Sequence, residues 1–109
     1  MERNHLNDLM AFATVARECS FTRAAAILAM SPSALSHAMR GLEERLGVRL
    51  LARTTRSVSP TEAGERLLRS LNPALTEIEV GLQAIAEWRV NPSGTVRITT
   101  FAYAARIVL

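Results

Sequence analysis

SPSALSHAMR, residues 31–40, has two faces when it is wound at helical spacing. Leu35 and Met39 lie on one side, continued by Leu42 and Leu46, and form an apolar stripe that asks for a core. Ser33, Ser36, His37 and Arg40 lie on another side. Ser31 followed by Pro32 is a helix start. The serine caps free N–H groups, and proline at the first helical position gives up an N–H that has no helical partner. Gly47 is placed to close the helix in the left-handed conformation.

Working toward the N-terminus, Leu6, Leu9, Met10, Ala13 and Ala16 form a second helical stripe over Leu6–Arg17, widened by Phe12 and Val15. Ser20 caps a further helix from Phe21 to about Met30, carrying Ala24, Ala25, Ile27 and Leu28. Its small alanines let another helix come close. Only a tight turn fits between this helix and the one that begins at Pro32. Two short helices, a brief turn and a helix with one polar face make a helix-turn-helix outline, which many helical bundles share.

Working toward the C-terminus, Arg49–Pro60 reads as a short hairpin. Leu50 and Leu51 lead in, Thr54, Thr55 and Arg56 form a polar tip, and Val58 returns. Thr61 then caps a long helix, with Glu62 and Glu65 placed favourably for its dipole. Gly64 removes a side chain where this helix meets the bundle. Leu68, Leu71, Leu75, Ile78, Leu82 and Ile85 follow at alternating spacings of three and four, a heptad seam that predicts pairing of two chains. Pro73 inside the seam predicts a kink or a break. Asn91–Gly94 reads as a turn or linker, Thr95–Thr100 alternates like a strand, and Phe101–Leu109 is apolar. The last two segments look like the beginning of a domain, because one strand and a scrap of helix cannot bury themselves.

A length of 109 residues suits one small domain with an extension, and 49% hydrophobic content is ample for a core. Mean hydropathy near zero and an apolar run no longer than Ala24–Met30 argue against a membrane span. The polar N-terminus has no signal-peptide core, and Cys19 is the one cysteine. A reducing cytoplasm, no disulfide, no metal and no cofactor are the expectations. All 13 basic residues are arginine. Arg45, Arg49, Arg53 and Arg56 occur with no acid between Glu44 and Glu62, which suits either a polyanion partner or a solvated face.

The run from Phe12 to Leu68 carries SFTRAA, Ser-x-x-Ala-Leu-Ser, LEERLG, RLLARTTR and Pro-Thr-Glu-Ala-Gly in one ungapped order. In this it resembles the N-terminal domain of LysR-type transcriptional regulators. The resemblance implies a mainly α fold: a winged helix-turn-helix (three-helix core plus short β-hairpin wing) over residues 1–60 and a linker helix that pairs two chains over 61–90. Residues 91–109 then resemble the truncated start of an α/β effector-binding domain, a vestigial strand here. Two positions depart from the family pattern: Cys19, where glycine is common, and Pro32-Ser33, where Gln-Pro is common.

The resemblance turns the polar face into a candidate DNA-reading surface. In the major groove, Ser33 and Ser36 suit base edges or phosphates, while His37 and Arg40 suit guanine or phosphate. Ser31, Pro32 and the first-turn N–H groups suit a phosphate. On the second helix Thr22 and Arg23 are placed for phosphates. In the wing, Arg53, Thr54, Thr55 and Arg56 are expected at the minor groove or the backbone beside it. Arg49 is a candidate there or an ion-pair partner of Glu43 or Glu44; Arg17, Arg45 and His5 read as solvated. The implied partners are double-stranded DNA and a second copy of the chain, with a tetramer as a further option at full length. A small-molecule effector is implied only for the domain this chain lacks. A protein-contact module is the rival reading. Catalysis is disfavoured, because the adjacent Ser36 and His37 side chains diverge on a helix and no metal-ligand spacing or phosphate-cradling glycine loop is present.

Overall fold

The computed structural model describes residues 3–91, with side chains from residue 5 onward. The expected strand at 95–100, the apolar tail and most of the 91–94 turn lie outside the described residues. The elements run α1 (Arg3–Glu18), α2 (Phe21–Leu28), α3 (Pro32–Leu46), β1 (Leu51–Arg53), β2 (Val58–Pro60) and α4 (Glu62–Val90). Two compact units divide the chain, one up to Asn72 and the other from Pro73 onward.

In the first unit α1 packs on α2 and α3, α2 packs on α3, and β2 reaches α1. The apolar stripes meet at their centres, while Leu6, Met10, Ile27 and Leu46, expected on the same stripes, stay exposed. Phe12 and Val15 from α1, Ala24 and Ala25 from α2, and Leu35, Met39 and Leu42 from α3 are all buried. Each fully buried large side chain contributes on the order of 1.5–3 kcal/mol by leaving water. Leu50, Leu51 and Val58 bring the hairpin into the same core.

The connections between the helices depend on three left-handed residues. Cys19 ends α1 at φ +54°, Ala29 ends α2 at +57° and Gly47 ends α3 at +73°. Met30 and Ala29 donate to the Ala25 and Ala26 carbonyls, and Gly47 and Val48 donate to that of Glu43, so each reversal satisfies free helix-end carbonyls. Glycine accepts this conformation at no steric cost, whereas Cys19 and Ala29 carry a Cβ that opposes it. At the helix starts, Ser20 Oγ accepts from the Arg23 N–H at 3.1 Å and Ser31 Oγ accepts from that of Ala34 at 3.1 Å.

β1 and β2 pair antiparallel with Ala52 opposite Ser59. Thr61 then anchors the start of α4 to the hairpin. Its N–H donates to the Leu50 carbonyl at 2.9 Å, its hydroxyl donates to the Arg49 carbonyl at 2.6 Å, and the same oxygen accepts from the Gly64 N–H at 3.1 Å. A Cβ on Gly64 would collide with the Leu50 carbonyl oxygen and lie 3.2 Å from its carbon. The helix therefore approaches backbone to backbone here.

α4 runs through Pro73 as one helix, so the break allowed for above does not occur. The seam differs along its length: Leu71 is buried, Leu68 and Leu75 are half-buried, and Ile78, Leu82 and Ile85 are 52%, 65% and 65% exposed. No helix among the described residues is long and apolar enough to cross a membrane.

Replacing Cys19 by glycine removes a Cβ from a left-handed position. The expected outcome is a gain of about 1 kcal/mol in stability. Urea unfolding checks it: the midpoint should rise with an unchanged slope, and an unchanged or lower midpoint would show that this position carries no strain.

Candidate nucleic-acid interface

Glu43 lies on the apolar stripe of α3, four residues after Met39 and eight after Leu35, and is 8% exposed. A buried carboxylate needs partners to offset its lost hydration. Its Oε2 accepts from the Leu50 and Leu51 backbone N–H groups at 2.8 and 3.0 Å. Its Oε1 lies 3.6 Å from Arg53 Nη2, and Arg49 Nε stands 3.8 Å from Oε2. One side chain of the helix thus fixes the first residues of the wing.

Arg53, expected at the minor groove or the backbone beside it, does not project freely from the wing. Its side chain is 22% exposed and folds back onto α3. Nη1 donates to Ser36 Oγ at 3.1 Å, and the guanidinium carbon sits 4.9 Å from the centroid of the Phe21 ring, a cation–π contact. Nε and Nη2 are buried with no hydrogen-bond partner. Burial pushes the Arg53 guanidinium below its ordinary pKa; the Glu43 carboxylate opposes this, and Arg40 and Arg49 add to it. Arginine's intrinsic pKa is high enough that the group stays charged at neutral pH.

At the wing tip Thr54 is also occupied. Its hydroxyl oxygen accepts from the Ser57 and Arg56 N–H groups at 3.0 and 3.3 Å and donates to the Ser57 carbonyl at 3.2 Å. This turn leaves Thr55 and Arg56 exposed. On α3, Ser33, His37 and Arg40 are exposed along one face, Ser36 is half-buried beside them, and Pro32 is exposed at the start. His37, Arg40 and Arg49 line an open cleft of about 820 Å³ with Glu43, Glu44 and Arg53. Arg40 and Arg56 make no ion pair among the described residues, so their charge faces outward.

The remaining arginines are engaged more than expected. Arg45 pairs with Asp8 on α1 and is not simply solvated. Arg23 Nη2 donates to the Glu18 carbonyl at 2.9 Å, and its Nε lies 3.8 Å from the Glu18 carboxylate. Thr22 is exposed at the start of α2. Ser31 is held by its capping bond and lies 3.4 Å from the Ser33 hydroxyl.

Sequence reasoning considered Glu43 only as an ion-pair partner and missed Phe21 beneath the guanidinium. The signal for Glu43 was present. An acid on the stripe of Leu35, Met39 and Leu42 must be buried, and a buried acid implies donors. Phe21 had no comparable signal, because only the folded chain brings it under residue 53.

Residues 6–65 match the family described as bacterial regulatory helix-turn-helix protein, lysR family. The chain is 56% identical over its whole length to the HTH-type transcriptional regulator PgrR of Escherichia coli K12 and 54% identical to a putative transcriptional regulator of Pseudomonas aeruginosa PAO1. It spans 36% of the length of each. Among solved structures it is similar to the BenM DNA-binding domain in complex with catB site 1 DNA, with TM-score 0.68 and 31% identity over 82% of this chain and 96% of that one.

Replacing Glu43 by alanine leaves two backbone N–H groups and a buried guanidinium without their acceptor. The expected loss is about 3–5 kcal/mol, the cost of orphaning one member of a buried pair. Chemical denaturation measures it; a loss below about 1 kcal/mol would mean that the carboxylate does not hold the wing.

Proposed function

This chain belongs to the lysR family of bacterial helix-turn-helix regulators, and we propose that it binds double-stranded DNA sequence-specifically as a homodimer and so regulates transcription in the cytoplasm. The observation that carries this reading is the exposed polar face of α3: Ser33, His37 and Arg40 in one row, with the opposite face committed to the core. A helix of this kind fits the major groove and presents its N-terminal residues to base edges. The relationship to a domain solved on DNA supports the same assignment.

The roles divide by exposure. Ser33, Ser36, His37 and Arg40 read bases or hold nearby phosphates. Thr55 and Arg56 carry the wing's contact with the minor groove or backbone, and Thr22 contacts a phosphate. The first-turn N–H groups after Ser31 and Pro32 hold another. Arg53 shapes the surface from within, and Thr54, exposed at the tip, shapes it by spending its hydroxyl on its own turn. Phosphate contacts supply most of the affinity and its salt dependence, while base contacts supply the specificity.

Residues 1–60 form the DNA-binding domain in this reading and 61–90 the pairing helix. Ile78, Leu82 and Ile85 are the apolar positions a second copy would cover. Two copies would read an interrupted palindrome. The rest of the relatives' length is where we place effector binding and the contacts of any tetramer.

Selection of binding sites from random duplexes tests the main claim, and the expected product is an inverted repeat with a fixed spacer. Arg56→Ala should lower the slope of log affinity against log salt by about one and leave the preferred sequence unchanged. An unaltered slope would remove Arg56 from the interface. Leu82→Asp should convert the dimer to monomer in sedimentation; an intact dimer would show that the seam is elsewhere.

A further inference from the structure

Ser36 is bound by a group whose hydrogen-bond polarity is unambiguous. A guanidinium has only donors, so at 3.1 Å from Arg53 Nη1 the serine oxygen is the acceptor. A serine hydroxyl has one proton and two lone pairs, and this contact uses a lone pair. In a helix the hydroxyl proton often returns to the carbonyl four residues back, but Ser36 makes no such bond among the described residues. Its proton is therefore unspent, and the oxygen that carries it backs onto a full positive charge.

The charge cannot easily turn away. Arg53 is held by Glu43 at 3.6 Å and stacked 4.9 Å from the Phe21 ring centroid. Swinging it outward would take from the buried carboxylate the nearer and more buried of its two arginine partners and leave only Arg49. The polarity of Ser36 is thus set by three residues on three elements and not by the serine itself.

Building on the DNA-binding reading above, we infer that Ser36 reads its base pair as a hydrogen-bond donor only, selecting an acceptor on the base edge and rejecting an exocyclic amino group. In the major groove the acceptors are guanine N7 and O6, adenine N7 and thymine O4, and the amino donors are adenine N6 and cytosine N4. An amino group approaching the remaining lone pair of Ser36 would meet Arg53 across a single oxygen, like against like. An acceptor approaching the proton is drawn by the same charge, as in other charge-assisted contacts.

The test is site selection with the intact chain and with Ser36→Ala, a substitution that keeps helix propensity at this half-buried position and removes only the hydroxyl. At one base pair in each half-site the variant should lose a preference of roughly 5- to 150-fold, the range of one base contact. That pair is then rebuilt with analogues. 7-Deazaguanine, 7-deazaadenine, 2-aminopurine or 5-methyl-2-pyrimidinone deletes an acceptor, and purine or 2-pyrimidinone deletes an amino group. Deleting one acceptor should weaken the intact chain by that factor beyond any loss it shares with Ser36→Ala, whereas deleting the amino group should cost both proteins equally. Loss of affinity confined to the intact chain on deleting an amino group would overturn the inference. So would a Ser36→Ala selection with every base preference unchanged, because the serine would then be contacting phosphate or solvent. If the intact chain enriched no motif at all, the DNA-reading assignment itself would fail, a result distinct from the other two.

Discussion

A carboxylate placed among leucines has to be satisfied, and in this chain the groups that satisfy Glu43 are the ones that position the wing. Leu50 and Leu51 are drawn to the core by their side chains, but apolar attraction is non-directional and leaves the angle of the hairpin open. The two N–H groups pointing at Glu43 Oε2 settle that angle, because a hydrogen bond weakens steeply when it bends. Thr61 repeats the constraint one strand later by tying the start of α4 to the carbonyls of Arg49 and Leu50. The hairpin between them has three residues per strand and could not hold itself in water. It is ordered by its two ends.

The same carboxylate separates arginines that look alike in the sequence. Arg53 and Arg56 stand three residues apart in one basic stretch, yet Arg53 faces the helix and Arg56 faces outward. An inward arginine contributes little long-range attraction but sets local polarity and geometry. An outward one contributes attraction that salt can screen. The division lets the surface keep a fixed shape next to α3 while its outer rim remains positive. Arg45 and Arg23 serve the fold in a similar way, the first joining α3 to α1 through Asp8 and the second closing the corner between α1 and α2 on Glu18.

The two helix reversals that precede α3 are made without glycine. Left-handed Cys19 and Ala29 each carry a modest steric cost, tolerated because the buried alanines of α2 hold that short helix tightly between α1 and α3. With so little chain in the turns, the orientation of α3 relative to α2 follows from packing and has little freedom to change. A rigid platform of this kind suits a helix whose side chains must meet a partner in register.

Much of this was legible in the chain. Ser20, Ser31-Pro32, Gly47 and Thr61 announce their helix ends, and the stripes of Phe12, Leu35 and Leu42 announce the buried faces, because capping and amphipathic spacing act over a few residues. The exposed row of Ser33, His37 and Arg40 follows from the same spacing once the opposite face is buried. The roles of Arg53, Thr54 and Phe21 were not legible. Which arginine of a basic run turns inward depends on where a carboxylate ten residues earlier comes to rest. Whether a wing-tip threonine spends its hydroxyl on its own turn depends on the hairpin register. Likewise, that Leu71 is buried while Leu82 is open cannot be seen in a seam of uniform spacing. Local chemistry is written along the chain, and the sequence alone determined the helices, their caps and their two faces. Contacts between distant residues exist only after folding, so the tertiary structure alone decided which charges the fold consumes and which it leaves exposed.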